Sequence, residues 1–189
     1  MRKLKLQVQM SVDGFIAGPK GEMDWMARAW DDALVQYVTG LTESIGQIVL
    51  GKNLATGFIP HWAGVAADES HPEHAAGKIF TDTPKLVFSK TLEASSWDNT
   101  TLAKADLVTE INQLKAQEGK DIIAYGGGQF VSSLIKQGLI DEYHLFVNPV
   151  ILGNGMPIFK ELGEKQTLVL EAALPFSCGI TVLKYKKAD

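Results

Sequence analysis

A chain of 189 residues, 46% hydrophobic and 21% charged, has the makeup of one globular domain. A net charge of −4 with no basic run excludes a general nucleic-acid surface, and no apolar run approaches the roughly 20 residues of a membrane-spanning helix. The single cysteine, Cys178, excludes an intrachain disulfide and is expected as an inert thiol in a C-terminal strand. The opening MRKLKLQVQM lacks the apolar core of a signal peptide, so a cytoplasmic protein is expected.

Leu4–Val12 alternates apolar and other residues and predicts a strand, broken at Asp13-Gly14. Gly18–Gly21 is a loop by composition. Trp25–Leu41 carries apolar residues at helical spacing (Trp30, Leu34, Tyr37, Val38, Leu41). Ile48–Leu50 predicts a short buried strand ending at Gly51. Residues 53–70, with Gly57, Pro60 and Gly64, read as irregular. Glu73–Phe80 predicts a short helix and Leu86–Phe88 a strand that ends at Ser89-Lys90. Ser96–Asn99 and Leu107–Val108 read as short strand or turn pieces, followed by a helix from Thr109, which can cap it, to Glu118.

Ile122–Tyr125 is a short apolar strand that runs into Gly126, Gly127 and Gly128, and an amphipathic helix begins at once. Glu142–Asn148 predicts another strand, and Thr167–Ala173 with Gly179–Lys186 a closing hairpin. Strands alternating with helices and ending in a hairpin predict an α/β fold in one domain, with a mixed, mostly parallel sheet and an antiparallel C-terminal edge. Tyr143–Leu152 is apolar for an outer strand, which points to a homodimer; a strand buried within one chain is the alternative.

Glycines let the backbone approach a ligand closely. The helix start behind them offers unpaired N–H groups and the positive end of the helix dipole. Strand, glycines and helix together suit a phosphate, although GGG matches neither the dinucleotide fingerprint nor a Walker loop. In open α/β sheets ligands bind at the strands' carboxyl ends. Here those ends carry Asp13-Gly14, Gly51-Lys52-Asn53, Ser89-Lys90-Thr91 and the glycines, which suits an anionic ligand with more than one phosphate. No nucleophilic triad is apparent. His71 and His74 flank Pro72 in a polar helix start, and no metal is expected there. Asp13, Asp24, Asp31 and Asp32 are the carboxylates near the expected cleft.

The blocks SVDGFIAGPKGEMDWM (11–26), IVLGK (48–52), PKLVFSKTL (84–92) and DIIAYGGGQFVSSLIKQGLIDEYHLFVNPVILGNGMPIF (121–159) together resemble the dihydrofolate reductase-like superfamily. The likeness is to the branch of the C-terminal reductase domain of the bifunctional riboflavin-biosynthesis deaminase–reductase, and it runs from Leu6 to about Tyr185. It implies a three-layer α/β/α dihydrofolate reductase-like fold and a nicotinamide cofactor, NADPH with NADH as the alternative. Gly126, Gly127, Gly128 and Gln129 would meet the pyrophosphate. Gly51, Lys52 and Asn53 would lie near the phosphates, with Lys52 where the family often has arginine. Ser89 and Lys90 would meet the adenosine 2′-phosphate, and Ile16 and Ala17 would border the nicotinamide. Gly18–Trp25 resembles a loop that closes over the site, with Trp25 in a catalytic role. Asp31 would stand in for the helix carboxylate that grips a pterin. No zinc-deaminase half is present.

The resemblance therefore implies an NAD(P)H-dependent reductase of a small planar heterocycle or carbonyl, pterin-like or pyrimidine-type. Dihydrofolate reduction proper, a non-catalytic nucleotide-binding module and a structural dimer are the rivals.

Overall fold

The first strand, β1 (Leu4–Met10), lies in the middle of an eight-stranded sheet. In the computed structural model, which describes residues 1–27, 29–160 and 162–188, it pairs in parallel with β6 (Asp121–Tyr125) on one side and β7 (Glu142–Val147) on the other. Beyond β6 follow β3 (Ile45–Gly51), β4 (Lys85–Phe88) and β5 (Thr100–Leu102), all parallel. Beyond β7, the hairpin of β9 (Leu168–Pro175) and β10 (Thr181–Lys187) closes the sheet antiparallel, with β9 outermost. The strand order is β5-β4-β3-β6-β1-β7-β10-β9. A two-stranded ribbon joins β2 (Phe15–Ala17) to β8 (Met156–Pro157), a pairing the sequence reading did not anticipate.

Strand alternation divides the core between two helical layers. Ile122 and Ala124 of β6 pack with Ile111 of α4 (Leu107–Ala116) and with Val131, Leu134 and Ile135 of α5 (Gly128–Lys136). On the other face, Ile123 and Tyr125 pack with Leu41 of α1 (Asp32–Glu43), Ala55 and Ile59 of α2 (Lys52–Ala67) and Phe80 of α3 (His74–Asp82). A third cluster sets Leu34 of α1 on Phe146, Ile180 and Val182 of the β7–β10 edge. The expected three-layer α/β/α architecture with an antiparallel C-terminal edge is therefore present.

Local expectations fail where packing outweighs local signals. Residues 53–70 are largely the helix α2, not irregular chain. Leu54, Ala55, Phe58, Ile59 and Trp62 recur at helical spacing and join one core cluster, and Val65 is buried further along the same helix. That burial overrides Pro60, Gly57 and Gly64, consistent with most helical stability coming from a packed face. Helix α1 starts at Asp32 and not near Trp25, because Asp31 is its N-cap and accepts from the Leu34 N–H at 2.8 Å. Likewise Asp106, not Thr109, caps α4, accepting from the N–H groups of Val108 and Thr109, so Leu107 and Val108 are helical. The fifth strand begins at Thr100, just after a turn at Asp98-Asn99. Cys178 lies in the β9–β10 turn, half-buried, and not in a strand. β7 is apolar because β1 and β10 flank it, which removes the argument for an outer strand at Tyr143–Val147.

Pro60 is exposed on α2 and leaves the Thr56 carbonyl without its helical donor. Pro60→Ala is expected to stabilise the protein by on the order of 1–3 kcal/mol. Thermal unfolding checks this; an unchanged or lower midpoint would mean that the packing of α2 requires the proline.

Candidate functional site

β1 and β6 are neighbours whose following connections leave to opposite faces, through α1 and α5. Such a divergence opens a crevice at the carboxyl ends of the strands. β6 ends there at Gly126–Gly128. Gly127 is the N-cap of α5 with φ +81°, a left-handed conformation that favours glycine, and no side chain caps the helix. The first intrahelical bond runs from the Val131 N–H to the Gly127 carbonyl at 3.0 Å, so the preceding N–H groups are free of helical partners. A Cβ at Gly126 would come no closer than 3.9 Å to Leu54, and one at Gly128 no closer than 3.8 Å to Ile16. Both are ordinary contacts, so the fold does not itself demand glycine at these two positions. A phosphate approaching the backbone would.

The neighbouring strand ends complete the rim. Gly51, the N-cap of α2, is a packing glycine, since its Cβ would meet Cβ of Phe130 at 2.8 Å. Lys52 opens α2 and donates through Nζ to Thr91 Oγ1 at 2.5 Å. Ser89 Oγ accepts from the N–H groups of Thr91 and Leu92 at 3.1 and 2.9 Å, which fixes the turn after β4. Asn53 and Lys90 are exposed beside them, and Gln129 is exposed in the first turn of α5. Ile16 and Ala17 are buried in β2, Ile16 facing Gly128. Trp25 is half-buried and donates through Nε1 to the Glu22 carbonyl at 3.0 Å, inside a loop that also bonds Gly18 N–H to Glu22 O.

Two polar side chains hold these loops in register. Asn148 is fully buried; its Oδ1 accepts from the Ala27 N–H at 2.9 Å and its Nδ2 donates to Gln9 Oε1 at 2.8 Å. Asp13 accepts from the N–H groups of Leu152 and Gly153 at 3.1 and 2.7 Å, tying the β1–β2 turn to the segment after β7.

Asp31 stands apart from the rim. One of its oxygens caps α1, and the other accepts from Ser177 Oγ at 2.6 Å and the Cys178 N–H at 3.1 Å in the β9–β10 turn. Both oxygens of Asp31, expected to grip a pterin, are engaged in this structure by the helix start and the β9–β10 turn. A groove of about 700 Å³ runs past Asp31 between α1 and β9, but it lies at the far edge of the sheet from the glycines.

The sequence reading passed over the face of β1 beneath α1. Lys5, Gln7 and Gln9 point that way, opposite Leu4, Leu6, Val8 and Met10. Next to Gln7 on β7 is His144, only 4% exposed, with Nδ1 2.6 Å from the hydroxyl of Tyr37 on α1. Burial, outweighing the nearby Glu142 carboxylate, pushes the His144 pKa down to about 4. Burial and Glu142 together push Tyr37 up to about 12, so the phenol keeps its proton. A phenol donating to Nδ1 leaves the ring proton on Nε2, which sits 3.6 Å from Glu142 Oε2, beyond a hydrogen bond. The signal that could have revealed this site was a polar alternation on a strand that carries helices on both faces.

A histidine whose folded pKa lies below its unfolded value near 6.5 destabilises the fold when it must be protonated. Its contribution is full above about pH 6.5 and is lost as pH falls towards 4, amounting to about 3 kcal/mol in all. Urea unfolding between pH 7.5 and 5 should show this decline in the wild type and a flatter profile in His144→Gln. Parallel profiles would place the sensitivity elsewhere.

The family model described as the RibD C-terminal domain matches residues 2–182. The uncharacterised protein YyaP of Bacillus subtilis strain 168 is 30% identical over 188 residues, covering 97% of this chain and 94% of YyaP. Among solved structures, a candidate riboflavin biosynthesis protein from Shewanella sp. PV-4 shares the fold with a TM-score of 0.72 at 24% identity, over 100% of both chains. A pyrimidine reductase-like protein from Corynebacterium diphtheriae does so with a TM-score of 0.61 at 15% identity, over 100% of this chain and 92% of that one.

Proposed function

The chain belongs to the RibD C-terminal domain family, and from that premise we propose that it is a reductase that takes hydride from NADPH, with NADH as the weaker donor, for a small planar heterocycle of the pyrimidine or pterin type. The observation that carries this is the glycine cradle. Gly126 and Gly128 sit where alanine would fit the fold, and the helix N–H groups behind them have no helical acceptor. Lys52, held on Thr91, and Ser89-Lys90 add two cations and hydroxyls on the adjacent strand ends, where further phosphates of the cofactor would lie.

The nicotinamide, when bound, supplies the hydride. The chain's part is to bind, orient and exclude water. Ile16, facing Gly128, and Ala17 form an apolar wall beside the cradle. The Gly18–Trp25 loop, bonded within itself and anchored behind by Ala27 on Asn148, would on this reading close over the cleft. Dihydrofolate reduction proper is the weaker alternative, because the carboxylate expected to grip a pterin is committed to capping.

The test is Gly128→Ala. Its backbone avoids the left-handed region and its Cβ has room, so the unliganded variant should unfold within about 2 °C of wild type. NADPH at ~100 times its dissociation constant should stabilise the wild type by roughly 2.7 kcal/mol, on the order of 5–11 °C for a chain of this size. The variant should need at least ~10-fold more NADPH for the same shift, as a methyl group enters the phosphate approach. Equal shifts in both proteins would overturn the cradle assignment.

A further inference from the structure

Asn148 and Gln9 form a relay with a fixed direction. Asn148 is fully buried just beyond β7, and its amide meets two backbone groups whose roles cannot be exchanged. The Ala27 N–H can only donate, so at 2.9 Å it requires Oδ1. The Phe146 carbonyl can only accept, so at 3.1 Å it requires Nδ2. Asn148 therefore offers Gln9 an N–H at 2.8 Å, and Gln9 must answer with Oε1. Nε2 of Gln9 is left to point away from Asn148. A glutamine amide that turns freely can present either an acceptor or a donor. Here the backbone at Ala27 and Phe146 decides, through Asn148, that it is the donor.

The strand register shows where that donor lies. Gln9 pairs with Phe146 of β7, but on its other side the ladder between β1 and β6 stops at Gln7 and Tyr125. β6 has by then turned off at Gly126, so Gln9 borders the crevice between the diverging strands. Gln9 is half-buried. Among the described residues its Nε2 has no hydrogen-bond partner, and it is not one of the buried polar atoms left unpaired, so it reaches solvent. An amide N–H carries no charge and stays a donor at every pH at which the protein is folded. A side chain that served Asn148 alone would need an acceptor and nothing more. Glutamine adds a donor whose direction is set from behind.

Resting on the reductase assignment above, we propose that Gln9 is a specificity-determining residue that donates from Nε2 to the substrate, and that Asn148 is the positioning residue that aims it. The substrate then turns an acceptor atom, a carbonyl oxygen or an unprotonated ring nitrogen, and not an N–H, toward the carboxyl end of β1. The same Asn148 holds Ala27 at the end of the Gly18–Trp25 loop, so one side chain sets both the aim of the donor and the seat of the loop.

The experiment uses two planar bicyclic probes of similar size, quinoline, whose ring nitrogen accepts, and indole, whose N–H donates. Binding is followed by ligand-observed NMR on wild type, Gln9→Glu, Gln9→Leu and Asn148→Ala, each with and without saturating NADPH. Wild type should bind quinoline about ten-fold more tightly than indole, the worth of one satisfied hydrogen bond. Gln9→Glu keeps an oxygen for Asn148 but turns an acceptor outward, so it should reverse the preference. Gln9→Leu should bring the two affinities within about two-fold of each other. Asn148→Ala frees the Gln9 amide to turn either way and should do the same, although residue 148 touches neither probe. That variant also leaves the Ala27 N–H unpaired, so the two Gln9 variants decide the proposal whether or not it folds. A purely structural pair would leave the ratio of the two affinities unchanged throughout. Wild type that binds neither probe or both alike, or Gln9→Glu that keeps the wild-type preference, would overturn the assignment of Gln9. Wild type that tells the probes apart but does not bind NADPH would instead strike the reductase assignment, since the cofactor-free measurements decide the role of Gln9.

Discussion

A strand with one polar face lies at the middle of a sheet covered by helices on both sides, and the remainder of the structure accommodates that constraint. β1 puts Leu4, Leu6, Val8 and Met10 into the core beneath α4 and α5, and Lys5, Gln7 and Gln9 beneath α1. Buried polar groups need partners. Lys5 finds Asp121 and Ser44, each at 3.0 Å, at the amino end of the strand. Gln9 finds Asn148 at the carboxyl end, and the same Asn148 fixes the chain at Ala27. Gln7, between them, finds no partner for its oxygen. The strand thus organises a charged base, a loop anchor and, in the middle, a neutral polar floor.

Above that floor the strand ends divide the work. The β3, β4 and β6 ends carry the features that suit phosphates: a left-handed glycine before a helix start, a lysine held on a threonine, and a serine-capped turn. The β1 and β7 ends carry the features that position loops: Asp13 across to Leu152 and Gly153, and the ribbon of β2 with β8. The cleft lies where these two halves meet, between neighbouring strands whose connections diverge to opposite faces.

Much of this was legible in the sequence, for physical reasons. The glycine-terminated strand and its helix, the alternation of strands and helices and the closing hairpin are strong local patterns, and the structure keeps all three. α2 was hidden because Gly57, Pro60 and Gly64 are local breakers, while the apolar spacing that overrides them acts only when packed against β3 and β4. The cap of α4 was expected at Thr109 and lies at Asp106, because any short polar side chain near a helix start competes for that position, and the start of α1 at Asp31 gave no apolar signal. Asp31 was expected at the site from the resemblance, yet its second oxygen serves a turn nearly 150 residues away in sequence. Gln7 and His144 were missed because polar alternation reads as a solvent-facing strand until the topology puts β1 between β6 and β7.

The central claim is that the glycine edge binds a dinucleotide through its backbone. A titration of isotope-labelled protein with NADPH, followed through backbone amide resonances, tests it most directly. The account predicts that the largest shifts fall on Gly126–Gln129, Lys52 and Ser89–Thr91, with the β9–β10 turn at Ser177-Cys178 unmoved. Shifts gathered around Asp31 and that turn, or none anywhere at millimolar NADPH, would contradict it.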